Sequence, residues 1–379
     1  MRKLKLGVVG LGRAFALTAP TLARDRRVEL VAAADPRPEA LQRFAADFSG
    51  KTYRDASDLW GDQNVEVVYI ATPHQLHAKQ AIAAAKAGKH VLVEKPMALS
   101  LRECRAMAAA AKKHRVYLIV GPSHSFDLPT KKAKQLIDSK KFGRVRMITA
   151  FNFTDFLYRP RMPDELEHAL LNQSAHHVDI VRLLAGTPLK SVRAHAVAWD
   201  RGQGAYSALL RFKDSFATIV YSGNAHFDSD EFTGWIGELG QKKDPSQYGA
   251  ARKTLSNRDE LKFKASRNYG GPEFKSSDAQ FHEHFGPIIV SCDKADLQPL
   301  PNGVMIYADG ERRLEPLPPT DAPRSGVIDE LYDAVVNRKK PLHDAAWGLA
   351  TIEACLAILK SAKSGKEVPL RHQTSASRT

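Results

Sequence analysis

The sequence predicts an α/β chain in two parts: an N-terminal doubly wound parallel sheet, then an α+β domain built on a large, mainly antiparallel sheet. Three observations predict this. Residues 4–120 alternate short apolar runs with helix-length stretches, a rhythm that calls for parallel βαβ units. A glycine turn, Gly10-Leu-Gly12, separates the first run from the first helix. After Gly121 the alternation stops and strand-like stretches follow one another. At 379 residues the chain also exceeds what one core usually supports.

Residues 4–9 are apolar and stop at Gly10, and a helix follows through Ala23. Val28–Ala34 is a second strand, ended by Asp35 and Pro36-Arg37-Pro38, with a helix from Glu39 to Phe48. Val65–Ala71 is a third strand, then come the loop Thr72-Pro73-His74 and an alanine-rich helix over Ala78–Ala87. Val91–Val93 is a strand that must stop before Pro96, because proline offers the sheet no N–H. A helix over Leu101–His114 and a strand over Val116–Val120 complete a Rossmann-type domain of residues 1–121.

The second domain is expected over residues 122–370. It opens with a helix over Thr130–Ser139 and a strand over Val145–Phe153. A helix carrying His176 runs to Leu184 and ends at Gly186. Ser191–Trp199, Tyr206–Phe212 and Phe216–Tyr221 are strands without intervening helices, hence antiparallel. Residues 240–280 are polar and read as a long excursion or lid. Helices over Val327–Val336 and Ala345–Lys363 close the domain, and residues 371–379 read as a disordered tail.

Hydrophobic content of 43% and charged content of 26% are ordinary for a soluble protein. No stretch reads as a membrane span, and Met1-Arg-Lys-Leu-Lys is not followed by the apolar core of a secretion signal. Cys104, Cys292 and Cys355 are far apart, which argues against a disulfide framework or a structural zinc and for a reducing cytoplasm. The net charge of +14 is dispersed, unlike the basic face of a nucleic-acid binder, but it suits steering of an anionic substrate. His282 and His284 are spaced like a metal pair but lack a third ligand, so no metal is expected.

The chemistry begins at Gly10-Leu-Gly12-Arg13-Ala14-Phe15, which sits between a strand and a helix as a dinucleotide fingerprint requires. Gly10 permits the tight turn and Gly12 the approach of a pyrophosphate to the helix N-terminus; Phe15 stands where a third small residue is usual. Asp35, at the end of the second strand, would accept from ribose hydroxyls and favours NAD, while Arg37 leaves NADP open. Glu94-Lys95-Pro96 leaves a lysine at the carboxyl end of a strand, where open α/β sheets place their ligands. Asn172 and His176, four apart, share a helix face.

These elements resemble the glucose-fructose oxidoreductase/inositol dehydrogenase/rhizopine-catabolism (Gfo/Idh/MocA) family over nearly the whole chain. The resemblance rests on the fingerprint, Ala71-Thr72-Pro73-His74-Gln75-Leu76-His77, Glu94-Lys95-Pro96, His176 with Asp179, and the ending Ser361 to Leu370. It implies an NAD(P)-dependent dehydrogenase acting on a secondary alcohol. It implies that Lys95 stabilises charge on the reacting oxygen and that His176 takes the hydroxyl proton. Thr72, Pro73, His77 and Glu94 would join the cofactor side. The family's sugar enzymes usually carry aspartate where Asn172 stands, so an Asp–His relay is not expected. A homodimer or homotetramer is the expected assembly.

Within the family the pattern is most similar to phthalate dihydrodiol dehydrogenases. Thr154 to Arg161, Asn172-Gln173 with His176, and Phe281 to Pro287 carry that similarity. It implies a carboxylated aryl cis-dihydrodiol as substrate. His124, Tyr158, Arg159, Arg161 and Asn172 are the expected substrate residues, the arginines as carboxylate forks. The alternatives are a sugar or cyclitol dehydrogenase and an NAD-dependent glycosidase.

Overall fold

The computed structural model describes residues 1–154, 165–198, 204–256, 259–274, 279–320 and 323–376. They form two compact units. The described residues of one fall within Met1–Pro122, Leu261–Ser277 and Arg324–Leu349; the other takes Ser123–Glu260, Asp278–Pro323 and Ala350–Thr379. Two later segments therefore return to the first unit, which the expected division at residue 121 does not anticipate.

The first unit holds β1 (Leu4–Val9), α1 (Arg13–Arg24), β2 (Val28–Ala34), α2 (Pro38–Phe48), β3 (Lys51–Tyr53), α3 (Ala56–Trp60), β4 (Val67–Ile70), α4 (His74–Lys86), β5 (His90–Val93), α5 (Leu101–Lys113) and β6 (Leu118–Val120). The six strands are parallel in the order β3-β2-β1-β4-β5-β6, the doubly wound dinucleotide-binding arrangement. Leu6, Val8, Ile70, Val91 and Leu92 are fully buried, as strands covered on both faces should be. β3 and α3 are too short to show a period and were not expected. α4 begins at His74 rather than Ala78, which puts His77 inside its first turn.

The second unit holds α6 (Leu128–Asp138), β7 (Val145–Phe153), α7 (Glu165–Ala185), β8 (Ser191–Val197), β9 (Ala205–Arg211), β10 (Phe216–Ser222), α8 (Ala250–Ser256), α9 (Glu260–Ser266, which runs on into the first unit), β11 (Ile288–Cys292), β12 (Ala295–Leu300), β13 (Gly303–Ala308) and β14 (Glu311–Pro316). α10 (Ser325–Val335) belongs with the first unit, α11 (Ala345–Ser364) begins there, and β15 (Val368–Pro369) completes a nine-stranded sheet. Its order is β14-β13-β12-β11-β7-β10-β9-β8-β15, and only β7 and β10 pair in parallel. Helices α6 and α7 pack on one face. On that face Ile148, Ala150, Ile219, Val290 and Leu297 are buried, while alternate residues look outward.

Two expectations are corrected. Residues 371–376 are not a loose tail: the amides of Arg371 and His372 donate to the Glu353 carboxylate on α11 at 2.8 Å each, and Thr374 accepts from the buried Arg182. Residues 240–280 are not one excursion. Tyr269 lies in the first unit, its ring edge-on to Phe15 at 4.9 Å and its hydroxyl donating to Asp47 at 2.6 Å. That contact accounts for the missing third glycine, since the fully buried Phe15 packs against Phe44 and Tyr269. α11 is long and apolar enough to cross a membrane, but two thirds of that stretch (67%) is buried within the protein, as in a core helix.

Candidate active site

The expected site residues within the described chain fall into two groups, one in each unit. In the first unit, β1 ends at Gly10, whose φ of +91° suits glycine. A Cβ there would sit 2.7 Å from the Ala71 carbonyl oxygen, so no other residue fits this turn. Gly12 caps α1 with extended backbone, and nothing lies within 4 Å of where its Cβ would be. The first turn of α1 has no acidic side chain and no side-chain cap. Open space before the N–H groups at the positive end of a helix suits a pyrophosphate. Arg13 reaches the Arg267 carbonyl at 3.5 Å, and Ala14 accepts from Thr18.

Asp35 ties β2 to this turn. Its carboxylate accepts from the Leu11 amide at 2.7 Å and from the Arg37 amide at 2.9 Å. The Arg37 guanidinium lies across the same carboxylate, with Nε 3.0 Å from Oδ1, and also donates to the Leu11 carbonyl at 2.7 Å. The acid is buried at the end of β2 and held in place by its own neighbours.

At the end of β5 the chain passes through Glu94, Lys95 and Pro96, with the Lys95–Pro96 peptide cis. Glu94 is buried and accepts from the Tyr69 hydroxyl at 2.5 Å. Burial raises its pKa, opposed by the charge of Arg324. Tyr69 in turn meets Thr18, which accepts from Arg324. Glu94 is thus buried and paired, next to the lysine in the chain. His77 is a brace. Its Nδ1 lies 3.0 Å from the Pro96 carbonyl and its Nε2 3.0 Å from the Thr72 carbonyl, joining the ends of β4 and β5. Burial lowers its pKa. Thr72 donates to Gln80 at 2.6 Å, and Pro73 caps α4. Gly348 lets α11 come close, since a Cβ there would meet the Met97 sulfur at 2.8 Å. Lys95 itself is partly buried, on a turn fixed from several sides.

In the second unit a 3-10 turn, His124–Phe126, leads into α6. His124 Nδ1 is 2.7 Å from an Asp127 carboxylate oxygen, and Nε2 is 3.4 Å from Glu238 Oε1. Its ring lies 4.7 Å from that of His176 on α7 and 5.2 Å from Phe285, which itself lies 4.7 Å from His176. The Ser125 hydroxyl donates to Asp179, fixing the turn to the same helix. Asn172 stands one turn before His176 and is partly buried. His177 faces elsewhere: its Nδ1 meets the Tyr206 hydroxyl at 2.8 Å, and burial, aided by the charge of His124, pushes its pKa down to about 3. It is a neutral core histidine.

The Phe281–Pro287 segment reaches His176 through Phe285. The Gly286 amide donates to His284 Nδ1, so His284 Nε2 carries the proton and donates to the Ile236 carbonyl at 2.8 Å. His282 Nε2 lies 2.8 Å from the Pro318 carbonyl. Tyr158, Arg159 and Arg161 lie outside the described residues. Asp127, Glu238 and Phe285 are site residues that the sequence reading did not single out.

Burial opposes charge on His124, but Asp127 and Glu238 outweigh it and lift its pKa to about 10 from the ordinary 6.5. A pKa raised in the folded state gives a contribution that is complete below about pH 6.5 and lost as pH rises through about 10. Asp127→Asn is therefore expected to flatten the alkaline loss of stability, an effect on the order of a few kcal/mol. Urea unfolding of both proteins at about pH 6 and about pH 10 measures it; equal pH dependence would contradict the charged pair.

The comparisons with known proteins agree with this geometry. Residues 4–122 match the model described as "Oxidoreductase family, NAD-binding Rossmann fold", and residues 130–241 match the GFO/IDH/MocA C-terminal domain. The chain is 44% identical over 377 residues to the 1-carboxy-3-chloro-3,4-dihydroxycyclohexa-1,5-diene dehydrogenase of Comamonas testosteroni, covering 95% of each chain. A myo-inositol 2-dehydrogenase of Thermotoga maritima is more distant, at 29% over 198 residues, covering 50% of this chain and 58% of that protein. A crystal structure from Bordetella bronchiseptica RB50, assigned as a dehydrogenase, superposes with a TM-score of 0.90 at 36% identity, covering 97% of this chain and all (100%) of that one. An open glycine turn before a helix, an acid at the end of β2 and a full-length match to a dehydrogenase point one way: the chain is an NAD-dependent oxidoreductase and belongs to the Gfo/Idh/MocA family.

Proposed function

We propose that the protein oxidises a carboxylated aryl cis-dihydrodiol, giving a hydroxy-ketone that tautomerises to a catechol. The observation that carries this reading is the 44% identity, over nearly the full length of both chains, to a relative named for a carboxylated dihydroxycyclohexadiene. Bound NAD supplies the hydride acceptor, on the open turn at Gly10 and Gly12 with Asp35 toward the ribose. Lys95 holds the reacting hydroxyl and stabilises charge as it grows on that oxygen. His176 takes the hydroxyl proton as hydride leaves the same carbon, so one proton and two electrons are accounted for. Asn172 orients a hydroxyl but takes no proton. Aromatisation of the product draws the oxidation forward.

A panel of carboxylated cis-dihydrodiols and cyclitols, followed by NADH absorbance, tests the substrate class. Turnover of dihydrodiols is expected; turnover of myo-inositol alone would overturn it.

A homodimer or homotetramer is part of the same reading. The sheet face opposite α6 and α7 is apolar and open, with Leu209 47%, Phe216 42% and Ile289 41% exposed. Ile289 and Leu209 lie in one row, paired across Thr149 and Thr218. A second copy would cover such a face. Light scattering should find a dimer or tetramer in the wild type and a monomer in the double variant Leu209→Glu, Ile289→Glu. A monomeric wild type would contradict it. The free cysteines fit a reducing cytoplasm: Cys104 and Cys355 are buried, which pushes each thiol up to about 12.

A further inference from the structure

We propose that the Nε2–H of His124 is the subsite for a carboxylate of the substrate, and that the Glu238 carboxylate holds this place until substrate displaces it. The proposal rests on the carboxylated-substrate reading above and says where the anion is held.

The two partners of His124 are held very differently. Asp127 approaches Nδ1 at 2.7 Å, and both side chains are only 5% exposed. Glu238 approaches Nε2 at 3.4 Å, the long end of a hydrogen bond, with its side chain 47% exposed. A buried imidazolium needs carboxylate partners. One of these is close and buried, and the other is longer and half-exposed. Exchanging one carboxylate for another leaves the charge count unchanged, so a bound anion adds no unpaired charge to the interior. The raised pKa of His124 keeps the ring cationic at neutral pH.

The place also suits the reaction. The His124 ring lies 4.7 Å from that of His176, the proposed base, and the buried Phe285 ring packs against both. Arg159 and Arg161 are not needed for this subsite.

Calorimetric titration of the NAD-loaded protein with 3,4-dihydroxybenzoate and with its uncharged carboxamide tests the assignment. Glu238→Gln, a change at a half-exposed side chain, should tighten the acid about five- to tenfold, and His124→Gln should weaken it at least about tenfold. The amide should move less than about twofold in either variant. Glu231→Gln, an exposed change of the same charge, should leave both ligands unaltered and so separates local exchange from bulk electrostatics. Acid and amide shifting together, or an unshifted acid in Glu238→Gln, would overturn the subsite while wild-type preference for the acid left the substrate reading standing. Equal wild-type affinity for acid and amide would overturn both.

Discussion

Lys95→Ala is expected to lower kcat by about two to four powers of ten while NAD affinity stays within about twofold. The lysine stands at the carboxyl end of β5, on a turn held by the buried Glu94–Tyr69 bond and by His77 on the Pro96 carbonyl. Those contacts belong to its neighbours and remain when the lysine side chain is removed. What is lost is a cation aimed at charge that grows on the reacting oxygen, and such charge exists only in the transition state. On the proposed reading NAD is held at the glycine turn and Asp35, so cofactor titration by fluorescence should hardly change. Lys95→Arg should rescue little, because the larger planar guanidinium cannot place its charge where the compact ammonium stood. Full activity in Lys95→Ala would contradict the assigned role.

His176→Ala carries an expected loss of similar size, about two to four powers of ten in kcat. Its signature differs. Removing a general base should abolish the acid limb of the kcat/KM profile, and added imidazole should restore part of the rate. Alanine also leaves a gap beside the stacked rings of His124 and Phe285, so His176→Gln is the companion variant. Gln fills the space without taking a proton. Loss in both variants assigns the effect to proton transfer; loss in the alanine variant alone would assign it to packing.

Much of the first unit was legible because glycine and proline punctuate it. Gly10, Pro36 and Pro96 each end a strand for a reason that local chemistry supplies. β3 was missed because three residues show no period. β13 and β14 were legible yet passed over: Asp309-Gly310, with Gly310 at φ +71°, is a two-residue hairpin signal between two strand-length runs. The return of residue 269 to Phe15 was not legible, since no local pattern joins residues 254 apart.

The site divides the same way. Gly10, Gly12, Asp35, Lys95 and His176 stand in short motifs. Asp127 lay within reach of a reading, three residues after His124. Glu238 did not, being 114 residues from its partner. His77 and Glu94 have partners that no motif names, Pro96 and Thr72 for the one and Tyr69 for the other. Both sit in family segments, and both turn inward to fix the backbone that presents Lys95.

The most direct measurement uses a carboxylated cis-dihydrodiol deuterated at the carbinol carbons, incubated with NAD and followed by mass spectrometry of nicotinamide and product. The account predicts one deuterium in the reduced cofactor for each catechol formed, with a primary isotope effect where hydride transfer limits the rate. Catechol formed without label in the cofactor, or no reduction of NAD at all, would contradict it.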